Sequence, residues 1–186
     1  VEVVNQIKDA NVKALLSLED LGATLKGIAE LPSCLEQVII CGIQDYDSSH
    51  AVSIPKLKGV EVTAFKELIS DQSDHFEPID VNPDNIFMIQ YTGGTTGAPK
   101  GAQLSHRALV CNAQMAYATN DQSNTPEMTL GSAFPLFHVA GLTNALSCMI
   151  FGGRYLLFPD PRDTDHICAV FKAIPPTHMV AVPALY

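Results

Sequence analysis

The 186-residue sequence predicts an α/β fold of mixed, largely parallel sheets with flanking helices. Three observations lead there. Short apolar runs of strand length alternate with segments whose apolar residues repeat at helical spacing, and that alternation joins parallel strands through crossover helices. Glycine and proline punctuate the segments, as at Pro32, Gly42, Gly152 and Pro175. The composition, 47% hydrophobic and 17% charged, is that of a globular chain able to bury a core.

In order along the chain, EVVNQIKDA carries Val3, Val4 and Ile7 on one helical face. VKALLSL follows as a buried strand. TLKGIAEL, with Leu25, Ile28 and Leu31 at helical spacing, predicts a helix over 24–31 that Pro32 stops. LEQVIICG is a strand ended by Gly42, a polar stretch follows, and VEVTAF leads into a short helix. Between positions 67 and 84 every formal charge is negative, which marks a solvated connector. NIFMIQYT is a strand. Ser105 is placed to cap a helix running to about Ala118. After the polar break TNDQSNTPE come the strand TLGSAF, a buried helix TNALSCMIF closed by Gly152 and Gly153, and the strand RYLLF. Ile167, Val170, Phe171 and Ile174 make the clearest helical stripe, and HMVAV is the last strand. The expected organisation is a first α/β segment over 1–66, an acidic connector over 67–85 and a second α/β segment over 86–186.

A net charge of −9 argues against nucleic-acid or anionic-membrane binding as the main task, since both need a basic face. It leaves room for a local phosphate site. The five cysteines are scattered with no C-x-x-C pair, which reads as buried free thiols and a cytoplasmic setting. No signal-peptide pattern opens the chain. The apolar stretch 134–153 contains Pro135, His138, Asn144 and several glycines, so it reads as a loop and a buried helix rather than a membrane span. His50, His75, His166 and His178 show no ligand spacing for zinc. Arg154 and Arg162 read as surface or turn-fixing residues.

The segment 91–106, YTGGTTGAPKGAQLSH, carries the chemistry. It is read as a loop from a strand to a capped helix. Glycines let several N–H groups converge, threonine hydroxyls add donors and Lys100 adds a positive charge, which together make a phosphate cradle. Two commoner phosphate loops fail on spacing. The ATPase loop needs glycine directly before its lysine, where Pro99 stands, and Gly93 and Gly94 are adjacent rather than in G-x-G-x-x-G register.

The same segment resembles the phosphate loop of the adenylate-forming superfamily, which comprises acyl-CoA synthetases, luciferases and the adenylation domains of peptide synthetases. Gly93 departs from the serine commonest there, and the Gly-Gly form resembles the bacterial long-chain fatty-acid–CoA ligases. PLFHVAGLT, GGRYLLFPDPRD and PPTHMVAVPALY are similar to further segments of that subgroup. The resemblance spans nearly the whole chain, with its specificity concentrated in 90–106 and 135–143.

The resemblance implies a central fragment of a large N-terminal AMP-binding domain, lacking the C-terminal domain and inactive alone. It implies that a fatty acid attacks ATP to give acyl-AMP, from which coenzyme A displaces AMP, with magnesium on the phosphates. Thr92, Gly93, Gly94, Thr95, Thr96, Gly97 and Lys100 would form the phosphate loop, with Thr92 also toward magnesium. Lys100 and His138 would be catalytic, and His138 would bond a phosphate or the carboxylate, or gate the acyl channel. His106 would orient or end a helix, and Tyr91 is given no direct role. Residues 136–146 and 178–186 would line the acyl pocket. Partners would be the small-molecule substrates, and the resemblance leaves room for peripheral membrane contact and a homodimer. Alternatives are a fatty-acyl-AMP ligase, a carrier-protein-loading adenylation domain, and a non-catalytic nucleotide-binding module.

Overall fold

The computed structural model describes residues 2–28, 30–42, 45, 51–93, 99–119, 127–158, 160 and 162–181. The chain divides into two compact units, 1–79 and 80–186.

In the first unit, α1 (Glu2–Asp9) precedes β1 (Ala14–Leu18), α2 (Gly22–Lys26), β2 (Gln37–Cys41), β3 (Glu61–Ala64) and α3 (Phe65–Ser70). The three strands form one parallel sheet in the order β1-β2-β3. Ile7 of α1, Leu25 of α2, and Leu35, Val38 and Ile40 in and before β2 form its buried cluster. Asn11, at φ 50°, closes α1 in the left-handed region that Asn tolerates, and Val12 N–H reaches back to the Ile7 carbonyl at 2.9 Å. The helix expected over 24–31 is instead Gly22–Lys26, capped by Gly27. Glycine is the weakest helix former after proline, and Ile28 and Leu31 reach the core from non-helical backbone. Residues 71–85 contain neither helix nor strand.

The second unit contains β4 (Ile86–Thr92), β5 (Lys100–Ser105), α4 (His106–Thr119), β6 (Thr129–Ser132), α5 (Val139–Phe151), β7 (Arg154–Leu156), α6 (Thr164–Ala173) and β8 (His178–Val180). β4 and β5 pair antiparallel, whereas β7-β6-β8 is a parallel sheet. The β5 strand corrects the sequence reading. The loop joins the two strands of a hairpin, and only then does the helix begin, with Ser105 Oγ accepting the Ala108 N–H at 3.2 Å as expected of a cap. The small and polar KGAQLS has little strand propensity of its own, and β4 supplies its order by pairing. A shift of register between Ile86 and Met88 bulges Phe87, whose ring meets His106 edge-on at 5.0 Å.

All four residues of β6 are buried. A Cβ on Gly131 would stand 2.7 Å from the Phe171 ring of α6, and the next residue, Ser132, accepts from Asn144 of α5 at 3.5 Å. Successive strand residues face opposite ways, so α5 and α6 cover opposite faces of the sheet. Met128, Leu130 and Cys148 are the buried cluster here. All five cysteines are free, but only Cys148 is buried and Cys168 is exposed. Buried Ile167 takes the inward position of α6, which turns its neighbour outward. Among the described residues no helix is long and apolar enough to cross a membrane.

Candidate functional site

The site is built on one face of the β4–β5 hairpin. Thr92 pairs with Lys100, Tyr91 with Gly101 and Gln90 with Ala102. Opposed residues and their second neighbours share a face, so Gln90, Thr92 and Lys100 project from one side. The other side carries Ile89, Tyr91 and Gly101. A Cβ at Gly101 would come within 2.7 Å of Ile89 Cγ2 and 3.2 Å of the Tyr91 ring, so the tyrosine packs across the glycine. Thr92 and Lys100 are exposed at the mouth of the hairpin, with Thr92 Oγ1 donating a long 3.4 Å bond to the Lys100 carbonyl. Gly93 is exposed, and a Cβ there would meet nothing within 4 Å. Gly94, Thr95, Thr96 and Gly97 lie outside the described residues.

His138 stands at the end of the segment that leaves the C-terminal end of β6. Its N–H donates to the Pro135 carbonyl at 3.0 Å, and its ring stacks on Phe134 at 6.1 Å. It is the N-cap of α5, since Nδ1 accepts the Ala140 N–H at 3.2 Å. An accepting Nδ1 carries no proton, so the neutral ring holds its proton on Nε2, available as a donor. Gly141, one turn on, packs directly against the Phe134 and Pro135 carbonyls, which fixes the turn against the helix.

Gln90 brings the two parts together. Its Nε2 donates to the Phe137 carbonyl at 2.6 Å across 47 positions of sequence, setting the His138 turn against the hairpin face that bears Thr92 and Lys100. Strand order supports the same location. The chain leaves β6 for β7 on one side and returns to β8 on the other. The segment leaving the C-terminal end of β6 thus lies at the end of a parallel strand where open α/β sheets take ligands. Leu136, Phe137 and Val139 beside His138 are large, apolar and exposed, Phe137 to 77%. Residues 182–186, expected to line an acyl pocket, lie outside the described residues.

Two exposed ion pairs fix turns in this unit. Arg107 at the start of α4 forks onto Asp84 before β4, with bonds of 2.7 and 3.3 Å, while its N–H donates to the Pro83 carbonyl. The guanidinium holds the Asp84 carboxyl below its usual range and is itself raised. Arg162 bonds Asp160 through Nε, Nη2 and its backbone N–H, all at 2.9 Å, and so fixes the turn before α6 as expected. That contact draws the Asp160 carboxyl down to about 2. Burial pushes the Cys148 thiol up, which keeps it protonated and inert. Among the described residues no three His, Cys, Asp or Glu side chains group as a metal site.

Sequence reasoning missed Gln90 and Gly141. A polar amide inside the apolar run IFMIQY was a signal for the first. The second has none, because its role is a backbone contact.

Three-stranded parallel sheets with flanking helices and a separate antiparallel hairpin make up a fold shared with adenylate-forming enzymes. The anthranilate CoA ligase AuaEII, solved with anthranoyl-AMP, superposes with TM-score 0.77 over 96% of this chain and 32% of that one, a likeness of fold at 19% identity. The chain belongs to the AMP-binding enzyme family, which it matches over residues 1–186. It is 28% identical over 203 residues to the long-chain-fatty-acid–CoA ligase of Salmonella typhimurium, covering 100% of this chain and 36% of that protein. It is 30% identical over 202 residues to the ligase of the same name from Bacillus subtilis, covering 100% and 35%. The chain thus spans about a third of the length of these curated relatives.

Proposed function

We propose that the protein containing this chain activates a long-chain fatty acid with ATP and passes the acyl group to coenzyme A. A carboxylate oxygen bonds to the α-phosphorus as the bond to pyrophosphate breaks, giving acyl-AMP. The coenzyme A thiol, losing its proton, then bonds to the acyl carbon as AMP leaves. The chain supplies the phosphate hairpin and one wall of the acyl site. The observation that carries this reading is the shared face of Thr92, Lys100 and the His138 turn, flanked by exposed Leu136, Phe137 and Val139.

A carboxylate and a triphosphate repel each other, so catalysis here consists mainly of neutralising and aligning them. Lys100 meets the leaving phosphates as a mobile positive charge, and Gly93, Gly94, Thr95, Thr96 and Gly97 offer N–H and hydroxyl donors around them. His138 donates from Nε2 to a phosphate or carboxylate oxygen. The donor set fits magnesium in the manner usual for nucleotide enzymes, one protein oxygen from Thr92 with the rest from phosphates and water. Bound magnesium would offset negative charge on the phosphates. The apolar lip at 136–139 suits an alkyl chain.

The test is AMP release by the intact protein with ATP, magnesium, coenzyme A and fatty acids of graded length. Coenzyme A-dependent release with long chains supports the proposal. Accumulation of acyl-AMP would point to a ligase that stops at the adenylate, and no turnover with any acid would contradict the proposal.

A further inference from the structure

We infer that Gln90 is a positioning residue that holds the His138 turn in register with the phosphate hairpin, an inference that rests on the adenylation reading above. Gln90 lies two residues before Thr92 on the same face of β4, and its Nε2 donates to the Phe137 carbonyl at 2.6 Å. Only the NH₂ end of the amide can donate to a carbonyl, so the amide has one orientation. Its other end, Oε1, is buried without a partner among the described residues. The residue is half-buried, and an amide oxygen taken from water without a bond carries a cost. What the amide gains is a direct side-chain link between the hairpin and the next turn. His138 cannot shift independently of that link. It follows Phe137 directly, its N–H is tied to Pro135, and its ring is tied to Ala140. Gln90 therefore sets how far the Nε2 donor of His138 stands from the phosphates that Lys100 holds.

The test uses the intact protein with Gln90→Met, which keeps length and loses the donor, and Gln90→Glu, which turns a carboxylate toward the Phe137 carbonyl. Expected is a fall in kcat for fatty-acid-dependent ATP–pyrophosphate exchange of about 10- to 100-fold, the usual consequence of sub-ångström to ångström misplacement. KM for ATP stays within about twofold, because Thr92 and Lys100 are untouched. In a His138→Ala background, Gln90→Met should cost less than about twofold, the non-additivity of residues acting as a unit. The proton NMR signal of the His138 ring should also move in Gln90→Met with circular dichroism unchanged. If Gln90→Met does not fold, Gln90→Asn is judged by the same measures. Wild-type kcat in Gln90→Met, equal losses in both backgrounds, or an unmoved ring signal overturns the inference while leaving the proposed function standing. Full activity in His138→Ala overturns the role of His138 and this inference with it.

Discussion

Replacing Gly141 by alanine puts the architecture of the His138 turn to a quantitative test. Gly141 lies in the first turn of α5, and a Cβ there would stand 2.7 Å from the Phe134 carbonyl oxygen, 2.8 Å from the Pro135 carbonyl carbon, and closer still to the Pro135 oxygen. Carbon–oxygen contacts settle at about 3.3 Å or more, so relieving the Phe134 contact alone needs a shift of about 0.6 Å, and the closer Pro135 oxygen demands more. Two effects oppose each other. Alanine gains about 1 kcal/mol over glycine in a helix interior. Overpacking against backbone costs about 1–3 kcal/mol. Strain on the bond from His138 N–H to the Pro135 carbonyl adds about 1 kcal/mol more. The clash wins, because the neighbours are backbone atoms of Phe134 and Pro135 that cannot rotate away. Net destabilisation of about 1–3 kcal/mol corresponds to a fall in Tm of roughly 2–12 °C for a domain of this size. Exchange should slow by about tenfold or more, since the displaced turn carries His138. Thermal denaturation and ATP–pyrophosphate exchange of the intact variant measure both. A raised Tm with wild-type exchange would mean that helix propensity prevailed and would refute the reasoning.

Other outcomes follow from the same geometry. Gly93→Ser restores the residue commonest in the superfamily at a position where a Cβ meets nothing, so Tm should stay within about 1–2 °C and nucleotide binding should persist; a larger fall in the urea midpoint would contradict the open site. Gly152→Ala forces alanine into the left-handed region at φ 72° with ample space around it, and should cost about 1 kcal/mol in chemical denaturation through backbone strain alone. The Asp160 carboxyl is depressed in the folded state, so its contribution to stability is present above about pH 4 and lost as pH falls towards 2. Carbon-detected NMR should show that titration moving part of the way back towards 3.8 in Arg162→Gln, since the backbone N–H at 162 still bonds the carboxylate, and no movement would mean that the Arg162 side chain is not the cause.

The fold was legible where one segment's own residues decide its state. The stripe of Ile167, Val170 and Phe171 predicts α6, and Asp163 caps it through its side chain. Gly152 and Gly153 close α5 by returning their N–H groups to Met149 and Cys148, as glycine after an apolar helix suggests. Legibility failed where a partner decides. KGAQLS is a strand because β4 lies beside it, and the helix expected through Leu31 stops at Gly27 because a short loop serves the core equally well. In the site, the residue types of Thr92 and Lys100 read as a phosphate cradle from sequence, and His138 is a candidate only through the family resemblance of its segment. The Gln90 bond to Phe137 and the packing of Gly141 are contacts between segments, which no local pattern encodes. The capping role of His138 was hidden by a residue type seldom used to start a helix.

The central claim is that this chain carries the phosphate hairpin of a fatty-acid-activating enzyme. The most direct measurement is fatty-acid-dependent ATP–pyrophosphate exchange by the intact protein, wild type against Lys100→Ala. Expected is exchange supported by long-chain acids in the wild type, and a loss of about 100-fold in the variant with its fold preserved, the scale of removing one electrostatic contact to developing charge. Exchange that needs no fatty acid, or that proceeds unchanged without the Lys100 ammonium, would contradict it.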